Sequence, residues 1–181
     1  MSVALNLTES GRIFIELLYR NNHIGTTGAA EPKAAWGGNM IGLKRGSVEL
    51  FSHQEEWNKN AENVILELRR LLGNAAVDIQ HIGSTAIDSI YAKPIIDIVI
   101  GVRELNDILP YRKLLEEHGF VFRGEDVARQ ILFVMGDFEK DTRTHHIHAV
   151  KWNGTEWNNY INFRDYLNCC PDKASLYDAC K

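Results

Sequence analysis

The sequence predicts an α/β domain beginning at Met40, in which helices pack on a small sheet. Two observations carry that prediction. Trp57, Ala61, Val64, Leu68 and Leu71 recur at four- and three-residue steps, the spacing of one helix face. The stretch Pro94-Ile95-Ile96-Asp97-Ile98-Val99-Ile100-Gly101-Val102 is an almost unbroken β-branched run, as in a strand covered on both faces.

Before Met40 the composition differs. Residues 12–18 could form one strand, and Gly25 to Gly38 is rich in Gly and Ala and reads as a poorly ordered arm. Residues 19–26 are similar to the pyrophosphate-binding loop of N-acetyltransferases, but over a length at which chance matches are common. A segment this short rarely holds a core of its own, so residues 1–39 are read as an N-terminal extension and 40–181 as the domain.

Within the domain, Ser52 and Glu55 have the spacing of a capping box, and Gly73 closes the helix they would open. Ala76 to Ile82 reads as a strand broken by Gly83-Ser84-Thr85, with a short helix expected from Thr85 and capped through Asp88. A helix around Leu105 to His118 should bend or restart at Pro110. Strands are expected near 120–122, 130–135 and 145–151, and helices near 156–168 and 172–181.

The chain has 181 residues, 45% of them hydrophobic, with 20 Lys+Arg against 24 Asp+Glu and a net charge of −4. An acidic balance argues against a broad basic face for nucleic acid. No apolar run is long enough to span a bilayer, and the start lacks the basic-then-apolar order of a secretory signal. A cytoplasmic location is expected. Cys169, Cys170 and Cys180 are odd in number and lack four-ligand spacing, so they read as incidental reduced thiols rather than a disulfide framework or zinc knot.

The chemistry concentrates in two places. His81-Ile82-Gly83-Ser84 ends a strand where glycine admits a ligand close to the backbone and serine adds a hydroxyl. A helix starting at Thr85 would add free amides suited to phosphate, with Lys93 supplying positive charge. An ionised Asp97 inside IIDIVI is costly unless a metal, a cation or hydrogen-bond donors satisfy it. In Arg143-Thr144-His145-His146-Ile147-His148, alternation puts His146 and His148 on one face. Asp97, His146 and His148 together have the composition of a two-histidine, one-carboxylate site, which suits a transition metal better than Mg²⁺. Arg129 and Arg143 are candidates for phosphate or carboxylate contacts, with surface ion pairs the commoner fate of such residues. Trp57, Trp152 and Trp157 read as packing groups rather than stacking platforms.

The segments Met40–Gly46, Asp78–Ala86, Ala92–Ile98, Arg143–His148 and Phe163–Leu167 resemble the GrpB family, from about Met40 to the C-terminus. The resemblance implies a nucleotidyltransferase-like fold of the polymerase-β superfamily type, a small mixed sheet with packed helices. In that superfamily a Gly-Ser turn binds a nucleoside triphosphate, and strand carboxylates hold two Mg²⁺ ions for nucleotidyl transfer. Gly83 and Ser84 match the turn, and Asp97 matches one carboxylate. Ile95 stands where a partner carboxylate would be, and His146-Ile147-His148 where a later strand often carries a third.

The expected ligand is therefore a nucleoside triphosphate or another phosphorylated small molecule, with Mg²⁺, Mn²⁺ or a histidine-ligated transition metal. Asp97, His146 and His148 would act on the reaction or hold the ion. Gly83, Ser84, Thr85, Lys93, Arg129 and Arg143 would bind the phosphates. The alternative is a non-catalytic ligand- or protein-binding module that kept the fold. A weaker third reading is a metal-dependent hydrolase built on the histidine pair. The family also extends some dephospho-CoA kinases, but this chain has no GxxxxGK[ST] motif, so kinase activity is not implied.

Overall fold

The computed structural model describes residues 41–181, the side chains of 126 and 127 excepted. The strand expected over residues 12–18 and the stretches after it lie outside the described residues. A two-residue strand, β1 (Leu43–Lys44), precedes helix α1 (Glu55–Leu72), which leads into β2 (Ala76–Ile82) and β3 (Ile96–Val102). A 3₁₀ segment (Leu105–Tyr111) runs through Pro110 and continues as α2 (Arg112–Glu117), so the expected restart falls just after Pro110, at Arg112. Then follow β4 (Val121–Val127), β5 (Gln130–Met135), β6 (Thr142–Arg143), β7 (His145–Lys151), α3 (Thr155–Cys169) and α4 (Pro171–Asp178).

Five strands make one mixed sheet in the order β2-β3-β7-β5-β4. The β3–β7 pair is parallel and its neighbours are antiparallel. The mixed α+β architecture expected from the sequence is the one found. The register opposes Ile82 to Asp97 and Asp97 to His146, so alternation carries all three to one face.

That face and its reverse are covered differently. On the reverse, Ile79, Ile96, Ile98, Ile100 and Ile147 meet Trp57, Ala61, Val64 and Leu68 of α1 in the main core. On the Asp97 face, Ile82, Val99 and Val150 are covered by Trp157 with Tyr160 and Ile161 of α3. A smaller cluster joins Ile87 and Ile90 to Leu167 and Ala174 of α3 and α4. β3 is thus buried on both sides, and its unbroken apolar run follows from that.

Three local expectations are corrected. The Ser52–Glu55 capping box does not form: Gln54 occupies the cap position and its side-chain amide donates back to the Ser52 carbonyl at 2.7 Å. The helix expected from Thr85 is a three-residue 3₁₀ turn, Ser84–Ala86, too short to sum peptide dipoles. Trp152, expected as a packing group, is 45% exposed and packs only at the surface. It lies across Gly101 with Trp157, and a Cβ at residue 101 would come within 2.8 Å of one ring and 2.9 Å of the other.

Candidate active site

Gly83 ends β2 with φ 73° and ψ −171°, a conformation open essentially to glycine alone. The sharp turn brings its main chain under the side chain of Asp97, and a Cβ there would strike the carboxylate and stand 3.0 Å from the Asp97 Cβ. The carboxylate therefore rests directly on the Gly-Ser turn. The first amides of that turn have no carbonyl one helical step behind them, as at any helix start.

Asp97 is partnered by the two histidines across the β3–β7 register. Its Oδ1 lies 3.1 Å from His146 Nδ1 and 3.8 Å from His148 Nε2. Burial acts to raise its pKa, but hydrogen bonds and charge from both imidazoles outweigh that and hold the carboxyl well below its usual range. One donor atom from each of the three residues lies within 4.8 Å of the others. Donors on a single transition-metal ion sit about 2.0–2.2 Å from it. The three donors are close enough to share one ion, and their chemistry favours a transition metal over Mg²⁺.

A surrounding layer fixes these groups. Tyr160 of α3 donates its hydroxyl to Gln130 Oε1 at 2.8 Å, stands 3.5 Å from His148 Nδ1, and lays its ring beside that imidazole. Arg164, one helical turn on, donates to the His81 carbonyl at 2.9 Å and to Gln80 Oε1 at 3.0 Å, tying α3 to the end of β2 just before Gly83. The Tyr177 side chain of α4 is hydrogen-bonded to Ser84, while burial and the charges of Asp97 and Asp178 raise its phenol. Lys93 is half-buried; burial lowers its pKa, and the negative Asp97 partly restores it.

The structure gathers Gly83, Ser84, Asp97, His146 and His148, with Lys93 in the field of Asp97. It does not gather the rest of the expected set. The Thr85 hydroxyl turns inward to His81 Nε2 at 3.0 Å and the Ile95 carbonyl at 3.5 Å, leaving only its main chain on the turn. Arg129 sits at φ 70° in the β4–β5 turn, is 75% exposed along its side chain, and pairs with Glu156. Arg143 belongs to the small β1–β6 ribbon, where it donates to the Thr142 carbonyl and stacks on Phe138. Turn and ribbon geometry, invisible in a linear motif, take both arginines elsewhere.

Tyr160, Gln130, Arg164 and Tyr177 were missed by sequence reasoning. The helical spacing of Trp157, Tyr160, Ile161 and Arg164 could have flagged the first and third as one face of α3. Nothing local to Gln130 or Tyr177 points to a site. His145, adjacent to the pair, faces the other way: it is buried under α1, with Nε2 2.6 Å from Asn60 Oδ1, and burial lowers its pKa to about 4.

Comparison with known proteins bears on the whole described region. The model of the GrpB protein family matches residues 47–181. Glutamate-rich protein GrpB of Alkalihalophilus pseudofirmus is 37% identical over 145 residues, covering 78% of this chain and 83% of that protein. UPF0157 protein YqkA of Bacillus subtilis is 31% identical over 135 residues, 74% of this chain but 38% of that longer protein. The crystal structure of conserved protein GrpB from Enterococcus faecalis superposes with a TM-score of 0.66 at 28% identity, covering 72% of this chain and 78% of its own. A cytoplasmic RNA terminal U-transferase covers 88% of this chain and 41% of its own at 13% identity, with a TM-score of 0.45 from which nothing about the site follows. Among the described residues no helix is long and apolar enough to cross a membrane.

Proposed function

This chain belongs to the GrpB family, and from that premise we propose that it is a nucleotidyltransferase-like protein that binds a nucleoside triphosphate or related phosphorylated molecule together with a divalent metal ion. One observation carries the reading: the Asp97 carboxylate lies on the Gly83-Ser84 main chain while shared with His146 and His148. A phosphate on the turn and an ion on the three side chains would then be neighbours.

The turn amides and the Ser84 hydroxyl would donate to the phosphate oxygens, and the Lys93 ammonium would offset their charge. Asp97, His146 and His148 would hold the ion, which when bound neutralises phosphate charge and stabilises the leaving group. Tyr160 and Arg164 keep the histidine ring and the turn in place. The expected test result is a rise in melting temperature with nucleoside triphosphate plus Mn²⁺, as selective binding to the folded state requires. Asp97→Ala should abolish the rise. No shift with any nucleoside triphosphate, or a shift intact in Asp97→Ala, would sink the reading.

A second reading is favoured by one specific feature. The three-residue donor cluster among the described residues contains a single carboxylate, and Ile95 stands where another would be. A module that binds the same ligand without turnover accommodates that. Transfer of labelled phosphate or nucleotide to an acceptor, against binding alone, separates the two.

A further inference from the structure

The end of α3 places two thiols side by side, and nothing in the nucleotide reading uses them. Cys169 and Cys170 are consecutive, with their sulfurs 3.4 Å apart. Cys169 Sγ donates to the Tyr166 carbonyl at 3.2 Å, so the thiol of Cys170 is left to donate to the Cys169 sulfur. Cys169 is exposed and Cys170 partly so, which leaves both open to a dissolved reagent. Cys170 is also the joint between α3 and α4, with φ −127° and ψ 79°, outside helical geometry and immediately before Pro171.

We propose that Cys169 and Cys170 form a redox-active vicinal dithiol that closes into a disulfide ring across their shared peptide bond, an assignment independent of the nucleotide reading. The oxidant is a small-molecule disulfide, RSSR. The Cys169 thiolate attacks one sulfur, forming a mixed disulfide and releasing RS⁻, which takes a proton to become RSH. The deprotonated Cys170 sulfur then attacks Cys169, forming the ring and expelling the second RS⁻, also protonated. Two protein thiols are oxidised and one RSSR is reduced to two RSH, so electrons and protons balance. Cys169 is the more exposed of the two, and the thiol of Cys170 points at its sulfur, so the dissolved disulfide meets Cys169 first.

The ring would reach beyond the surface. The Cys170 carbonyl, in the peptide adjoining the ring, accepts the amides of Lys173 at 2.9 Å and Ala174 at 3.0 Å, so the first turn of α4 hangs from the residue whose Cα the ring constrains. Ala174 packs against Ile87 and Ile90, just after the 3₁₀ turn, and α4 carries Tyr177 to Ser84. Oxidation at the joint therefore bears on the seating of Tyr177.

The full chain carrying Cys180→Ser, so that the third thiol cannot interfere, is titrated with oxidised glutathione and followed by intact mass and peptide mapping. The expected product is a monomer lighter by two hydrogens, linked between residues 169 and 170, and restored by dithiothreitol. Added Cys169→Ser or Cys170→Ser should instead yield a stable glutathione adduct on the remaining thiol. Phenylarsine oxide should bind one-to-one only when both cysteines are present. A persistent adduct at Cys169 beside a free Cys170, a covalent dimer through either residue, or arsenical uptake unchanged in the single variants would overturn the proposal.

Discussion

Gly83 shows how much a single residue without a side chain can decide. Its backbone conformation costs a residue with a Cβ about 1–3 kcal/mol, and that Cβ would meet the Asp97 carboxylate. Gly83→Ala is expected to lower stability by at least that conformational cost and to push Asp97 off the turn. Thermal denaturation checks the first effect, and loss of the Mn²⁺-dependent nucleotide shift checks the second. An alanine variant as stable as the parent, with the shift intact, would contradict the close contact. Asp97 was legible because a carboxylate stands out in an apolar strand, and the histidine pair because strand alternation is a local rule. Arg129 and Arg143 were not: each lies in a turn or ribbon whose own partners, Glu156 for the first and Thr142, Asp141 and Phe138 for the second, take it away from the site. Tyr160 and Tyr177 escaped notice because their roles depend on how whole helices are seated.

Elements with strong periodicity were read well. The β5 and β7 boundaries follow the alternating and apolar patterns directly, and α1 shows its buried stripe in the linear sequence. Where a short polar signal stood alone, the fold chose differently. Gln54 folds back onto Ser52 and pre-empts the capping box, and the Ser84–Ala86 turn stops at Ile87, whose backbone is already extended. Leu68 is fully buried between α1 and the sheet, so Leu68→Ala should cost about 2–5 kcal/mol. Denaturant unfolding should show it as a lower midpoint. A loss under about 0.5 kcal/mol, the range of surface substitutions, would mean that α1 does not pack as described.

For the whole molecule, stability should depend on pH through two buried histidines, His81 and His145, and His81 shows the logic. Burial lowers its pKa from 6.5 to about 4; the negative Asp97 opposes the shift and the positive Arg164 adds to it. Asp88, which raises it, and His53, which lowers it, complete its charged surroundings. The unfolded chain therefore binds a proton here that the folded chain refuses between those two values. The contribution is present above pH 6.5 and is lost as pH falls towards 4, by up to about 1.4 kcal/mol per pH unit. Melting temperatures at pH 7 and pH 5 should differ in that direction, and His81→Gln should reduce the slope, leaving the share that His145 contributes. An unchanged slope in that variant would remove His81 as the cause. The parallel pairing of β3 with β7 has a kinetic corollary as well. Asp97 and His146 are 49 residues apart in sequence, and neither can find the other through any hairpin. Most of the intervening chain must be threaded and docked first, at the entropic cost of closing a long loop. A nascent chain still emerging from the ribosome therefore holds the carboxylate and the imidazoles apart, as ordinary side chains, and only the finished topology assembles them into one cluster.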